Sequence, residues 1–201
     1  MKMARLAAAG ALAAALSGCL SLGSQEPQRY YVLEAVAAKA APARTTRAAT
    51  LLVTPTTASN FYDIQDIAYS RTPGARAYYQ YHSWTERPGR RVTELLVARL
   101  ERDGSFKAVA TVIAGVHGDY ILNTHLAEFY HDAAAVPGSA RVVLTAELVD
   151  PVRRVLLARR TFEQSAPAPT YDAPGAVRAF DQAVAAVLGD LSAWIDGVAP
   201  R

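Results

Sequence analysis

Cysteine is almost missing: Cys19 is the only one in the 201-residue chain. A small exported domain held by disulfides carries its cysteines in even sets, so a disulfide framework is excluded. Long apolar runs are missing too. Residues 6–16 form the one extended apolar stretch, and it is too short to span a bilayer. Surplus charge is the third shortage. The formal net charge is +3, and removal of Lys2 and Arg5 with the leader described below lowers it to +1. A near-neutral domain lacks the electrostatic footprint of phosphate-driven binding, which argues against a nucleic-acid partner. The chain also lacks an internal repeat, a sustained heptad and a Gly-x-Ser-x-Gly nucleophile elbow. Gly115 and Gly118 do not have the spacing of a phosphate cradle. No residue is therefore assigned a catalytic role, and no cofactor is expected.

What is present begins with an address. Lys2 and Arg5 form a positive n-region, residues 6–16 an h-region, and Leu16, Ser17, Gly18 and Cys19 a cleavage site with small residues before the cysteine. This LSGC sequence resembles the bacterial lipobox, in which the cysteine is acylated and becomes the mature N-terminus. The sequence thus divides into a cleaved signal peptide (1–18), an acylated N-terminus and tether (19–29) and a periplasmic domain (30–201). One acyl chain binds a membrane only marginally, whereas two or three anchor it stably. Leu20 and Ser21 follow the cysteine where an aspartate would signal retention at the inner membrane, so delivery to the outer membrane is expected.

In the domain, 30–33 and 51–54 have strand propensity. Runs 67–70 and 77–84 flank Pro73-Gly74 and read as a hairpin ended by Pro88-Gly89. Val92, Leu95, Leu96 and Leu100 then recur at helical spacing, with Gly104 as the stop. Stretches 106–113, 118–130, 141–149 and 154–162 read as strands, with turns at 136–140 and Asp150-Pro151. The Pro/Ala-rich segment 164–175 reads as a loop in which Asp172 caps a final helix, where Val177, Phe180, Val184, Val187, Leu188, Leu191, Trp194 and Ile195 form one stripe. The expected fold is a single α/β domain, a mixed and largely antiparallel sheet packed by two main helices.

The stretch AYYQYHSWTERPGRR (77–91) has the aromatic and arginine content of a single-strand binder, an option closed by charge and compartment. Alternation predicts Tyr79, Tyr81 and Ser83 on one face and Tyr78, Gln80, His82 and Trp84 on the other. Trp84 is expected to close the core. Tyr79, Tyr81, Trp84, Arg87, Arg90 and Arg91 are the candidates for a partner interface, because these residue types are enriched at interface hot spots. His117, His125 and His131, with Asp119 and Glu128 nearby, raise a metal hypothesis. On one extended strand they lie roughly 20–26 Å apart, which excludes a shared ion, so no metal site is expected.

The succession of a lipobox, RYYVL, a short Leu-Val strand, a strand ending in Trp84 with Pro88 after it, the helix VTELLVARLERDGSFKAV, the strand DYILNTHLAEFY and a terminal helix ending in Trp194 resembles the ABC-type transport auxiliary lipoproteins. These are the PqiC-like family of MCE lipid-transport systems. The resemblance implies a non-enzymatic lipoprotein on the periplasmic face of the outer membrane, docked to a periplasmic MCE-domain protein and through it to an inner-membrane permease and ATPase. It also implies a ring-like homo-oligomer and transport of phospholipid or a related apolar solute. A stand-alone envelope-assembly lipoprotein and a periplasmic hydrolase or ligand-binding protein are the alternatives.

Overall fold

The computed structural model describes residues 26–35 and 46–200. Leu16, Ser17, Gly18 and Cys19 lie outside the described residues. The elements in chain order are β1 (Arg29–Tyr31), β2 (Arg47–Val53), β3 (Thr57–Ala58), a 3-10 turn (Asn60–Tyr62), β4 (Asp66–Ser70), β5 (Ala77–Trp84), α1 (Pro88–Asp103), β6 (Phe106–Thr111), a second 3-10 turn (Val112–Ala114), β7 (Tyr120–Asp132), β8 (Ser139–Asp150), β9 (Val155–Pro167) and α2 (Ala173–Val198).

Strand β7 organises the sheet. Along one edge it pairs antiparallel with β8, from Ile121 opposite Val149 to Asp132 opposite Ser139. Along its other edge lie three short parallel strands in succession: β2 opposite Tyr120, Ile121 and Leu122, β3 opposite His125 and Leu126, and β4 opposite His131 and Asp132. Beyond them β6 extends the sheet from β2, while β5 and then β1 extend it from β4. The long β7–β8–β9 ladders are antiparallel and the short crossovers parallel. The fold is thus the expected mixed α/β domain with two helices.

Alternation in β8 explains which face the helices cover. Ala140, Val142, Leu144, Ala146 and Leu148 are buried, and the intervening Arg141, Val143, Thr145, Glu147 and Val149 are half-exposed. Helix α2 packs on the buried face. Its own Ala176, Ala179 and Ala183 are buried, so small side chains on both elements permit close approach. Phe180 from α2, Phe129 from β7 and Trp84 from β5 fill the space where the layers meet. Their ring centroids lie 4.3 Å (Phe129–Phe180), 5.4 Å (Trp84–Phe180) and 5.8 Å (Trp84–Phe129) apart.

Three local expectations are corrected. Pro88 and Gly89 do not end a hairpin; they form the first turn of α1, where proline's missing N–H costs nothing. Gly89 is also required there, because a Cβ would lie 2.7 Å from the Thr56 carbonyl oxygen. Residues 164–167 continue β9, and Pro167 is tolerated because β9 is a sheet edge. Strand β6 stops at Thr111 and yields to a 3-10 turn. Gly104 does terminate α1, at φ +67°, and the Asp172 carboxylate accepts the Gly175 amide at 2.7 Å to cap α2.

Candidate functional site

The aromatic stretch in β5 does not keep one alternation. Between the pairs Asp66–Ser83 and Ala68–Tyr78, β5 uses five residue steps where β4 uses two. This irregularity switches the faces. Tyr79 and Trp84, assigned to opposite faces by parity, both point toward the helical layer, Tyr79 to His131 and Trp84 to Phe180. Tyr78 stacks on Phe61 at 4.4 Å on the other side. Trp84 is only 2 % exposed, so its side chain is out of a partner's reach.

Tyr79 belongs to a polar aromatic cluster at one end of the sheet. His131 is fully buried, its Nδ1 2.8 Å from Tyr79 Oη and its Nε2 3.1 Å from the Pro137 carbonyl. A carbonyl only accepts, so Nε2 carries the proton and Tyr79 Oη donates to Nδ1. Burial pushes the His131 pKa below its ordinary value and the Tyr79 phenol up to about 12. Tyr171 places its ring 6.2 Å from His131 and donates its hydroxyl to the Ala133 carbonyl at 2.8 Å. Gly138, at φ +83°, sits against His131: a Cβ would lie 2.5 Å from Nε2. The cluster thus pins the β7–β8 and β9–α2 connections to the sheet.

The arginines divide by role. Arg87 and Arg90 are largely exposed, at 63 % and 76 %, and pair with Asp63 at 3.3 Å and Glu86 at 3.3 Å. Exposed pairs of this kind contribute only about 0–1 kcal/mol. Arg91 instead reaches back, donating from Nε to the Leu33 carbonyl at 2.8 Å. From the opposite side the Asp181 carboxylate accepts the Glu34 amide at 2.9 Å. The segment after β1 is therefore clamped between both helices. Burial raises the Asp181 pKa despite those amides.

The histidines are dispersed. His117 is exposed in the loop before β7. His125 lies on the open face of the sheet with Nδ1 2.9 Å from Thr57 Oγ1. Among the described residues no carboxylate bonds to its other ring nitrogen, so this hydroxyl–imidazole pair has no third member. Asp119 accepts the Thr50 amide at 2.7 Å, and Glu128 pairs with Arg141. Around His125 the open face forms a shallow groove of about 380 Å³, bordered by Thr54, Asn123, Thr145, Glu147 and Arg159. A second hollow of about 200 Å³ lies between the helices, lined by Leu95, Arg99, Arg102 and Leu188. Neither is a closed apolar chamber. The geometry clamps segments and presents side chains.

The model of the ABC-type transport auxiliary lipoprotein component matches residues 31–192. The chain belongs to this family. The match runs from the end of β1 almost to the end of α2, so it takes in the His131 cluster, the clamp on 33–35 and the open face. The auxiliary-lipoprotein fold is also that of a crystal structure of a Xanthomonas campestris protein of the DUF330 family, 27 % identical, with a TM-score of 0.77 over 84 % of this chain and 96 % of that one. An uncharacterized protein of known structure is 15 % identical and shares the fold, with a TM-score of 0.67 over 85 % of this chain and 99 % of that one. No curated protein matches the sequence. Among the described residues of this auxiliary lipoprotein, no helix is long and apolar enough to cross a membrane.

Sequence reasoning missed the His131 cluster and the two-residue strand β3. Tyr79, His131, Pro137 and Tyr171 carry no common spacing, and only the meeting of strands β5 and β7 with the 133–138 and 168–172 connections brings them together. The lone signal was Gly138 in VPGSA, a glycine beside a proline at a turn.

Proposed function

We propose that this chain is a non-enzymatic auxiliary lipoprotein, anchored through acylated Cys19 to the periplasmic face of the outer membrane. It serves an ABC/MCE-type system that moves phospholipid or a related apolar solute between membranes. Its direct partner is a periplasmic MCE-domain subunit, with the permease and ATPase engaged indirectly, and it works as a ring-like homo-oligomer. The observation that carries this reading is the family match over 31–192 on a chain whose residues 16–19, LSGC, read as a lipobox. The buried polar side chains agree with it: His131 and Tyr79 are spent on pinning loops. Exposed Arg87 and Arg90, with half-buried Tyr81, are surface groups that a protein partner can meet.

The test is a mild-detergent pull-down of the full lipoprotein beside Cys19→Ala. The wild type is expected to recover an MCE-domain protein and the variant to leave the membrane fraction. Recovery of outer-membrane assembly proteins alone would overturn the transport role. Unchanged membrane partitioning of the variant would overturn the anchor.

A further inference from the structure

Strand β9 is bonded along one edge only. It pairs with β8 from Val155 to Pro167, and among the described residues nothing pairs with its other edge. In an antiparallel ladder alternate residues turn their N–H and C=O groups outward, so this edge presents a row of unpaired donors and acceptors. The other outer strands are short: β6 has six residues and β1 three. Long edges are blunted by proline, by bulges or by a covering segment. Here Pro167 ends the strand, and a register shift at Leu157, between the pairs Leu148–Ala158 and Val149–Leu156, lies near its start. From Ala158 to Ala166 the ladder is regular, with Arg159, Arg160, Thr161, Glu163 and Ser165 exposed.

An edge of this kind takes an extended strand, and the side chains of β9 select a second β9. A twofold axis that sets two copies of one edge strand antiparallel runs normal to the sheet. Both helical layers then stay on one face, and facing residues have numbers of even sum. Centring the axis on residue 159, 160 or 163 sets Arg159, Arg160 or Glu163 against its own copy, which like charges oppose. Centring it on Phe162 forms no ion pair. Centring it on Thr161, the midpoint of the strand, places Arg159 opposite Glu163 of the second copy, twice by symmetry. On the helical face Arg160 then meets Phe162 of the second copy, and in its own chain its guanidinium already lies 5.2 Å from that ring. The same register completes a row of charge across the open face. Glu128 on β7 pairs with Arg141 on β8, Arg141 with Glu163 on β9 at 2.6 Å, and Arg159 with Glu147 at 3.5 Å. Arg159 of one copy beside Glu163 of the other joins these pairs into one row of alternating sign through both subunits.

We propose that β9 is a twofold contact between two copies of this chain, paired antiparallel about Thr161 into one continuous sheet. The contact closes on itself at two copies, so a larger ring needs a second surface. It is independent of the transport role, and its failure leaves that reading standing. The test oxidises the full-length, membrane-bound protein carrying Thr161→Cys or, one strand inward on the same face, Thr145→Cys. Cα atoms facing across an antiparallel pair are ~4.5–5.5 Å apart, inside the range a disulfide spans. Three strand spacings put the two 145 positions roughly 14 Å apart. A disulfide-linked dimer is expected at 161, several-fold above the yield at 145. Equal yields at both positions mark random collision, and no dimer at 161, or its capture by a different protein instead, marks another occupant; each overturns the twofold. Sedimentation in detergent gives a second measurement. Arg159→Glu should move dimerisation several-fold to higher protein concentration, and Arg159→Glu combined with Glu163→Arg should bring it back. A single variant without effect, or a double variant as weak as the single, overturns the register.

Discussion

Trp84 offers the sharpest test of how the core is built. Its indole is 2 % exposed and packs on Phe129 and Phe180, yet its Nε1 has no hydrogen-bond partner among the described residues. Truncation to alanine removes the whole ring from a packed site, a loss of about 3–5 kcal/mol. Replacement by phenylalanine behaves differently, because two effects oppose one another. It forfeits burial of two ring carbons, about 1.6 kcal/mol at ~0.8 kcal/mol per carbon. It also removes a buried unpaired N–H, whose desolvation costs about 1–3 kcal/mol. The net change for Trp84→Phe is therefore within about 1 kcal/mol of zero. For a domain of this size 1 kcal/mol moves Tm by about 2–4 °C. Scanning calorimetry of the protein in detergent should show Trp84→Phe within about 4 °C of wild type and Trp84→Ala lower by about 6–20 °C. Equal losses in both variants would mean that the N–H is satisfied in the folded protein. A near-neutral Trp84→Ala would remove Trp84 from the core altogether.

Other expectations follow from the clamps. Gly138→Ala places a Cβ against His131 Nε2 in a left-handed backbone, a conformation that alone costs about 1–2 kcal/mol; urea unfolding should show at least that loss, and a wild-type midpoint would refute the contact. His131 has a depressed folded pKa, so its contribution to stability is present above the unfolded value of about 6.5 and declines as pH falls below it. Urea midpoints measured at descending pH should therefore drop less steeply in His131→Asn than in wild type, and parallel curves would count against burial of a neutral imidazole. Asp181→Ala removes the acceptor for the Glu34 amide, a bond to a charged group worth about 1.5–3 kcal/mol before the cost of burying the carboxylate. Hydrogen exchange at Glu34 should accelerate while that in β8 stays unchanged; unaltered protection at Glu34 would show that Arg91 holds the segment alone.

Much of this domain was legible because the signals are local. The apolar stripe of α2, the glycine stop of α1 at Gly104 and the alternation of β8 each follow from a period or a turn residue read within a few positions. Failures came where local rules meet tertiary demands. Proline at 88 and at 167 reads as a breaker. One instead opens a helix and the other lies on a strand edge where its missing N–H is not needed. Parity in β5 failed because the irregularity opposite β4 is dictated by pairing, and no residue type announces it. Arg91, grouped with Arg87 and Arg90 as an interface candidate, is tied to Leu33, a residue 58 positions away.

By itself the sequence determined the element types, the two helices and the chemical character of the leader, since each depends on periodicity, caps or composition over a short span. Only the tertiary structure decided which aromatic residues enter the core, that three short strands share one edge of β7, and that His131 is buried with a defined tautomer. Those outcomes depend on contacts between residues dozens of positions apart. Whether a side chain is buried or presented is a property of the surfaces that meet around it.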